Sequence, residues 1–273
     1  MNKNNQSKII LALSLPIAIL IIIASYRGLF IPGTYSKETL NWTSQAVGQD
    51  AINLFLITPF LIFTSLLAYK KSRIALLLWS GCIFYLVYTY VIYCFAVHFN
   101  NLFLVYCLIL GLSFYSFMYF LFSQIKEPIV DWFNDKIPVK TMGIYLFVIS
   151  CFFYFLWLSE ILPAIFRNTT PNDIIDIGTL TNPVHALDLS VCLPGLLITS
   201  ILLLRKKPMG LLLAPTMMTF CILMDITIGG LVVVMKVNGL DADWSLTGLM
   251  GLLALVSVTI LVKYLRSLKH KND

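Results

Sequence analysis

The chain has 273 residues, 59% of them hydrophobic and 12% charged, with a mean hydropathy of +0.88 and a formal net charge of +6. Soluble domains carry about a quarter of their residues as charges, so an ordinary water-soluble fold is excluded and lipid is the expected solvent. The basic excess lies in short turns between apolar runs, not along a groove, which argues against a nucleic-acid partner and for a topology signal.

Apolar runs of about 20 residues predict eight spans, at approximately 9–27, 47–69, 74–98, 101–122, 142–166, 183–204, 209–236 and 245–265. The expected fold is all-α: one polytopic integral membrane bundle over residues 1–273 with eight transmembrane helices. The first run, IILALSLPIAILIIIAS after Lys3 and Lys8, has the outline of a secretory signal. Cleavage after Ala24 or Ser25 would leave Ile22 or Ile23 at −3, a poor fit to the small-residue rule, so an uncleaved helix is expected. The second span opens with Gln49, Asp50 and Asn53, and Asp50 and Asn53 share one helix face. The third carries Tyr85, Thr89 and Tyr93 at helical spacing, with Tyr90, Cys94 and His98 as a second line.

The connector 123–141 mixes charges with Ile129, Val130, Trp132 and Phe133. It reads as an ordinary loop with aromatic interface anchors, the alternative being a short amphipathic piece on the membrane surface. The fifth span has Glu160 near its end, and the loop RNTTPNDIIDIGTLTN follows. His185 and Asp188 then stand one helical turn apart at the start of the sixth span, with Cys192 on the same face. The seventh span opens after Pro208, a residue suited to a helix N-terminus. Its Asp225 lies about sixteen residues in, or roughly 24 Å at 1.5 Å per residue. Pro59, Pro163, Pro194 and Pro215 interrupt spans. No internal repeat is strong enough to support an inverted-repeat architecture.

With the N-terminus in the cytoplasm, the segments on the inner side collect fifteen of the nineteen basic residues, leaving Arg27, Lys37, Arg167 and Lys236 outside. That split predicts both termini in the cytoplasm of a plasma-membrane protein. The triplets Asn41-Trp42-Thr43 and Asn168-Thr169-Thr170 then fall outside and match the glycosylation pattern. The six cysteines form no C-x-x-C pair and read as small buried hydrophobes.

Ionisable groups inside lipid cost ~2.5–3.5 kcal/mol each on insertion scales, so the few present carry the functional expectation. Asp50, Glu160, His185, Asp188 and Asp225 all fall in the outer half of the predicted bundle. Together with Asn53 and Tyr93 they form a candidate substrate- or ion-binding pocket open to the outside. Without a mid-membrane Lys or Arg, the acids must be protonated or visited by a cation. The duller reading is that Asp50 and His98 are interfacial, that Glu160 reaches Arg167, and that Asp188 only packs helices. His185 and Asp188 have the spacing for two ligands of one metal, with Glu160, His98 or Asp50 to complete the set. No metalloprotease, P-loop, serine-hydrolase or dinucleotide motif occurs.

The run TNPVHALDLSVCLPG, continuing to LLLRKKPMG between Thr181 and Gly210, resembles runs in bacterial multi-pass membrane proteins of unassigned function. The resemblance covers about one helix and its flanks. It implies a bacterial inner membrane and no activity. Three functional expectations follow: a transporter or ion-coupled permease taking a cation, proton or small solute; a sensor, accessory or assembly protein whose polar groups hold helices together; and an intramembrane enzyme using His185, Asp188 and Glu160 around a metal or as acid and base. Neither a cofactor nor an oligomeric state is legible.

Overall fold

The computed structural model describes residues 3–269, with side chains from Gln6 onward. The side chain of Lys3, and His270 and Lys271 of the tail, lie outside the described residues. Among the described residues, eight helices are long and apolar enough to cross a membrane. They are α1 (Lys3–Phe30), α2 (Leu40–Tyr69), α3 (Arg73–Ala96), α4 (Phe103–Gln124), α5 (Val139–Arg167), α7 (Pro183–Leu204), α8 (Pro208–Val237) and α9 (Trp244–Leu265), with a short helix α6 (Asn172–Ile177) before α7. The burial pattern suits lipid. Phe166 is 83% exposed, and Phe95, Phe155 and Leu104 also face outward. Ser14, Thr64, Ser65, Ser113, Thr199, Ser200 and Thr216 are buried inside. Outward apolar rings and inward small hydroxyls are the inverse of a soluble protein and the usual arrangement between membrane helices.

The start of α1, the segment after α9 and the turns 70–72, 125–138 and 205–207 lie at one end. There Lys269 N–H donates to the Trp132 carbonyl at 2.8 Å, and the Arg73 guanidinium sits 5.1 Å over the Trp132 ring. The other end, called distal, collects the remaining loops. Lys37 Nζ donates to the Phe99 carbonyl at 2.9 Å, and Thr39 Oγ1 to the Asp176 carbonyl at 2.9 Å.

The two halves of the chain repeat one another, with α2 and α7 and the turns that end them in register at an offset of 135 residues. Asn53 and Asp188 each open a five-residue π segment, Asn53–Ile57 and Asp188–Cys192. Each segment is followed by a proline, Pro59 or Pro194, and then by a buried Thr-Ser pair, Thr64-Ser65 or Thr199-Ser200. A proline removes one N–H and crowds the carbonyl four residues back, and a π turn is one way to absorb that. Both helices then end alike. Lys71 and Lys206 are left-handed at φ 68° and 51°, while Ser72 and Lys207 return hydrogen bonds to Leu67 and Leu202, a Schellman-type stop.

Packing repeats as well. In the first half α1 packs on α2 and α4, and α3 on α2 and α4; in the second α5 packs on α7 and α9, and α8 on α7 and α9. With four long helices per half, each half begins and ends at the same end of the bundle, the arrangement of a parallel repeat with a pseudo-twofold along the bundle axis. The equivalent helices α3 and α8 meet at the centre. There Ser80 Oγ lies 2.8 Å from Thr216 Oγ1, and a Cβ on Gly81 would strike Thr219 and the Thr216 carbonyl. The sequence reading missed this repeat because the matching positions are few and sit in uniformly apolar surroundings.

The other departures have local causes. Helix α2 begins at Leu40, not near 47, because Thr39 Oγ1 accepts from Trp42 N–H at 3.1 Å and the Trp42 indole donates to the Ala96 carbonyl at 2.8 Å. The Asn41 triplet therefore lies in the first helical turn of α2 and not in a loop. In the connector 123–141, Ile129, Trp132 and Phe133 are buried against the C-terminal segment and do not anchor at an interface. All six cysteines are free, but Cys151 is exposed on the bundle surface.

Candidate functional site

Asp50 is three turns inside α2 and 1% exposed, not interfacial. Its carboxylate accepts from Tyr35 OH at 2.5 Å and from Tyr93 OH at 3.1 Å. The rings of Tyr90, Tyr93 and Tyr106 close around it. Gly28 of α1 passes so close that a Cβ there would collide with the carboxylate. Tyr35 lies in the loop between α1 and α2. Burial foremost, then its neighbours Tyr93 and Asp50, push its phenol well above the ordinary tyrosine range, so it stays a neutral donor. Asn53 belongs to a second network, in which Gln49 Nε2 donates to Asn53 Oδ1 at 3.0 Å and to Tyr85 OH at 2.7 Å, and Tyr85 OH meets Thr227 Oγ1 at 2.8 Å, while Asn53 Nδ2 has no partner among the described residues. Asp50 and Asn53 thus bind α2 to its neighbours and face no cavity.

The second half of the chain is open where the first is filled. Helices α1 and α4 are joined by Gln6 Nε2 to Ser123 Oγ at 3.0 Å, and α1 to α3 by Trp79 Nε1 to Ser14 Oγ at 2.8 Å. Their counterparts α5 and α9 touch along a short stretch held by Tyr145 OH and Ser257 Oγ at 2.8 Å. Beside that stretch lies a cavity of about 460 Å³. Its walls carry Glu160 from α5, Asp173 from α6, His185 and Asp188 from α7, and Asp225 from α8, with Gln49 and Tyr93 on the far side. Among the described residues, no lysine or arginine lines it. Trp42, Tyr88, Phe153, Trp157 and Phe220 supply aromatic walls.

The charged residues differ in their company. Asp188 accepts from Trp157 Nε1 at 2.8 Å and from Tyr88 OH at 3.1 Å, so its carboxylate is held in place by two donors. Asp225 is 6% exposed and, among the described residues, has no hydrogen-bond or ion-pair partner. Glu160 does not pair with Arg167; its Oε2 lies 3.8 Å from His185 Nε2. The Trp157 ring packs against the His185 ring, centroids 4.5 Å apart and planes tilted by 47°.

Of the seven residues singled out from sequence, the structure brings Glu160, His185, Asp188 and Asp225 to one cavity. Tyr93 lines its wall with the hydroxyl turned to Asp50, and Asp50 and Asn53 are apart from it. For the metal set weighed on His185, Asp188 and Glu160, the structure gathers Glu160, Asp173 and His185 instead, with one ligand atom from each within 4.8 Å of the others. His98 takes no part; its Nδ1 pairs with Glu38 Oε2 at 2.9 Å. Asp173, Trp157 and Tyr88 were not picked out. The available signal for Asp173 was an acid in the short loop joining the Glu160 and His185 spans. Comparison of the chain with known protein families, with curated proteins and with solved structures finds no match.

Proposed function

We propose that the chain is a multi-pass carrier of the plasma membrane, in a bacterium the inner membrane, that takes a small cation into the cavity of its second half from the outer side. The basic residues favour the cytoplasm for the end where α1 begins and α9 ends, which leaves the distal end and the cavity mouth outside. The observation that carries the reading is the lining itself: four carboxylates and an imidazole from four helices, with no lysine or arginine among the described residues that line it. Such a set in lipid favours a positive occupant or protons. The aromatic walls suit a cation as well, through their ring faces. Asp225, buried and without a partner, is the residue expected to exchange a proton for the cargo.

The test is flux. Purified protein is reconstituted into liposomes carrying a pH gradient, and alkali, alkylammonium and divalent cations are added in turn. At least one cation is expected to dissipate the gradient. Asp225→Asn is expected to cut that rate at least tenfold while its melting temperature stays that of the parent. A parent protein that dissipates nothing across the panel removes the reading.

A further inference from the structure

The mouth of the cavity holds a second kind of site. Glu160 comes from the distal turns of α5, Asp173 from α6 and His185 from the first turns of α7, so three separate segments converge on one point. Two observations point to a missing partner there. His185 is 7% exposed, yet neither ring nitrogen has a hydrogen bond among the described residues; its Nε2 lies 3.8 Å from Glu160 Oε2. Asp173 Oδ1 is buried and likewise without a hydrogen-bond partner. Two carboxyl groups this close need either a shared proton or a cation between them, so a metal would take the place of the proton that Glu160 and Asp173 otherwise share.

The surroundings prepare these atoms for a ligand. Asn182 Nδ2 donates to Asp173 Oδ2 at 2.6 Å, which fixes the carboxylate and leaves Oδ1 for another partner. The Asn182 Oδ1 accepts from Val184 N–H at 2.9 Å and His185 N–H at 3.2 Å, capping α7 and tying His185 to the same residue. Trp157 holds the imidazole plane from one side. This is the outer-shell support that ligating carboxylates and imidazoles need.

We infer that Glu160, Asp173 and His185 form a binding site for one divalent transition-metal cation of the zinc type. One borderline imidazole nitrogen with two hard carboxylates is a donor set that zinc accepts, and their two negative charges match its charge. Ligand atoms on a tetrahedral zinc at roughly 2.0–2.1 Å are about 3.3 Å apart, so the present set, within 4.8 Å, has to draw in. Glu160 is exposed and its side chain is free to make that move. A fourth position stays for water. The bound ion would pin α6 and its loop to α5 and α7 across the cavity mouth. In the first half the equivalent positions are Ser25, Glu38 and Asp50, and Tyr35 fills the gap, so this site belongs to the second half alone. The site goes beyond the carrier reading, because it is read by equilibrium binding and needs no flux.

The test uses tag-free, chelator-treated full-length protein in detergent, titrated with Co²⁺ by absorbance and with Zn²⁺ by calorimetry. One saturable site per chain is expected. His185→Ala and Asp173→Asn should each weaken it at least tenfold, and Asn182→Ala several-fold as a positioning residue. His98→Ala, which removes the exposed imidazole at the same end, should leave the affinity within twofold. Melting curves without metal show whether each variant is folded, and a folded His185→Ala or Asp173→Asn protein that binds like the parent overturns the site. So does a parent protein with no saturable binding. Asp225→Asn, deeper in the cavity, separates the two ideas: loss of flux with metal binding intact supports both, and metal binding without flux in the parent leaves this site standing alone.

Discussion

Asp50 and His185 occupy equivalent positions in the two halves of the chain, yet one is sealed by two tyrosine hydroxyls and the other has no hydrogen bond to its ring. The first half has become the rigid member of the pair and the second the open one. Tyr35→Phe should therefore act on stability alone. It strips Asp50 of one of two donors and leaves a buried acceptor poorer by one hydrogen bond, at a cost of about 1–3 kcal/mol. Thermal melting in detergent should show the loss, while cation binding in the second half stays unchanged. An unaltered melting temperature would mean that the Tyr35 bond does not hold this half together.

The pseudo-twofold crossing of α3 and α8 depends on the absence of a side chain at Gly81. Gly81→Ala places a methyl against Thr219 and the Thr216 carbonyl, a backbone atom that cannot rotate away. Overpacking of this kind costs about 1–3 kcal/mol. The variant should melt lower than the parent. Gly111→Ala, which meets open space, is the matched control and should melt at or above the parent temperature.

The π segment of α7 sets which way His185 and Asp188 face. Pro194→Ala supplies the missing N–H, so the backbone is free to return to α-helical bonding. Removing the extra residue of the π turn rotates everything before it by about 100° relative to the rest of α7. The expected result is a folded protein whose Co²⁺ binding is at least tenfold weaker. Unchanged binding would show that the π turn is not what aims these residues.

Asp243 gives a pH signature outside the membrane. It caps α9 by accepting from Ser245 N–H at 2.8 Å, and Ser245 Oγ also donates to its other oxygen. These bonds favour the charged form and hold its carboxyl below the ordinary aspartate range. The native value is thus below the unfolded one, so the contribution is fully present above the unfolded pKa of about 3.9 and is lost as pH falls through the native value. The stability difference between the parent and Asp243→Ala should persist at neutral pH and shrink steadily below about pH 4. Melting curves from pH 7 to pH 3 provide the check, and a difference that grows on acidification would be the opposite result.

The eight spans were legible because lipid imposes one rule, a long apolar run, that composition alone displays. Their limits were less so. The start of α2 turned on a Thr39 cap and a buried Trp42 whose indole reaches the end of α3, and neither is visible in a hydropathy profile. Glu160, His185, Asp188 and Asp225 drew attention because an ionisable group in an apolar helix stands out, and helical spacing put His185 and Asp188 on one face. Asp50 stood out for the same reason, but nothing in the sequence says that Tyr35 folds back from a loop to seal it. Asp173 stayed unnoticed because an acid in a polar loop is ordinary until α6 carries it beside His185. The repeat needed geometry: two π turns and two left-handed lysines register the halves where side-chain identity scarcely does.

The most direct measurement is chemical access to the cavity from outside. Cys221 lines it next to Asp225, so a variant keeping only that cysteine reports on the space itself. Right-side-out vesicles are treated with a cationic, membrane-impermeant methanethiosulfonate. Modification of Cys221 from the outer side is expected, and it should slow at least several-fold when Glu160 and Asp188 are replaced by Gln and Asn. A thiol that reacts only from the cytoplasmic side, or only after the membrane is dissolved, contradicts an outward-facing acidic cavity.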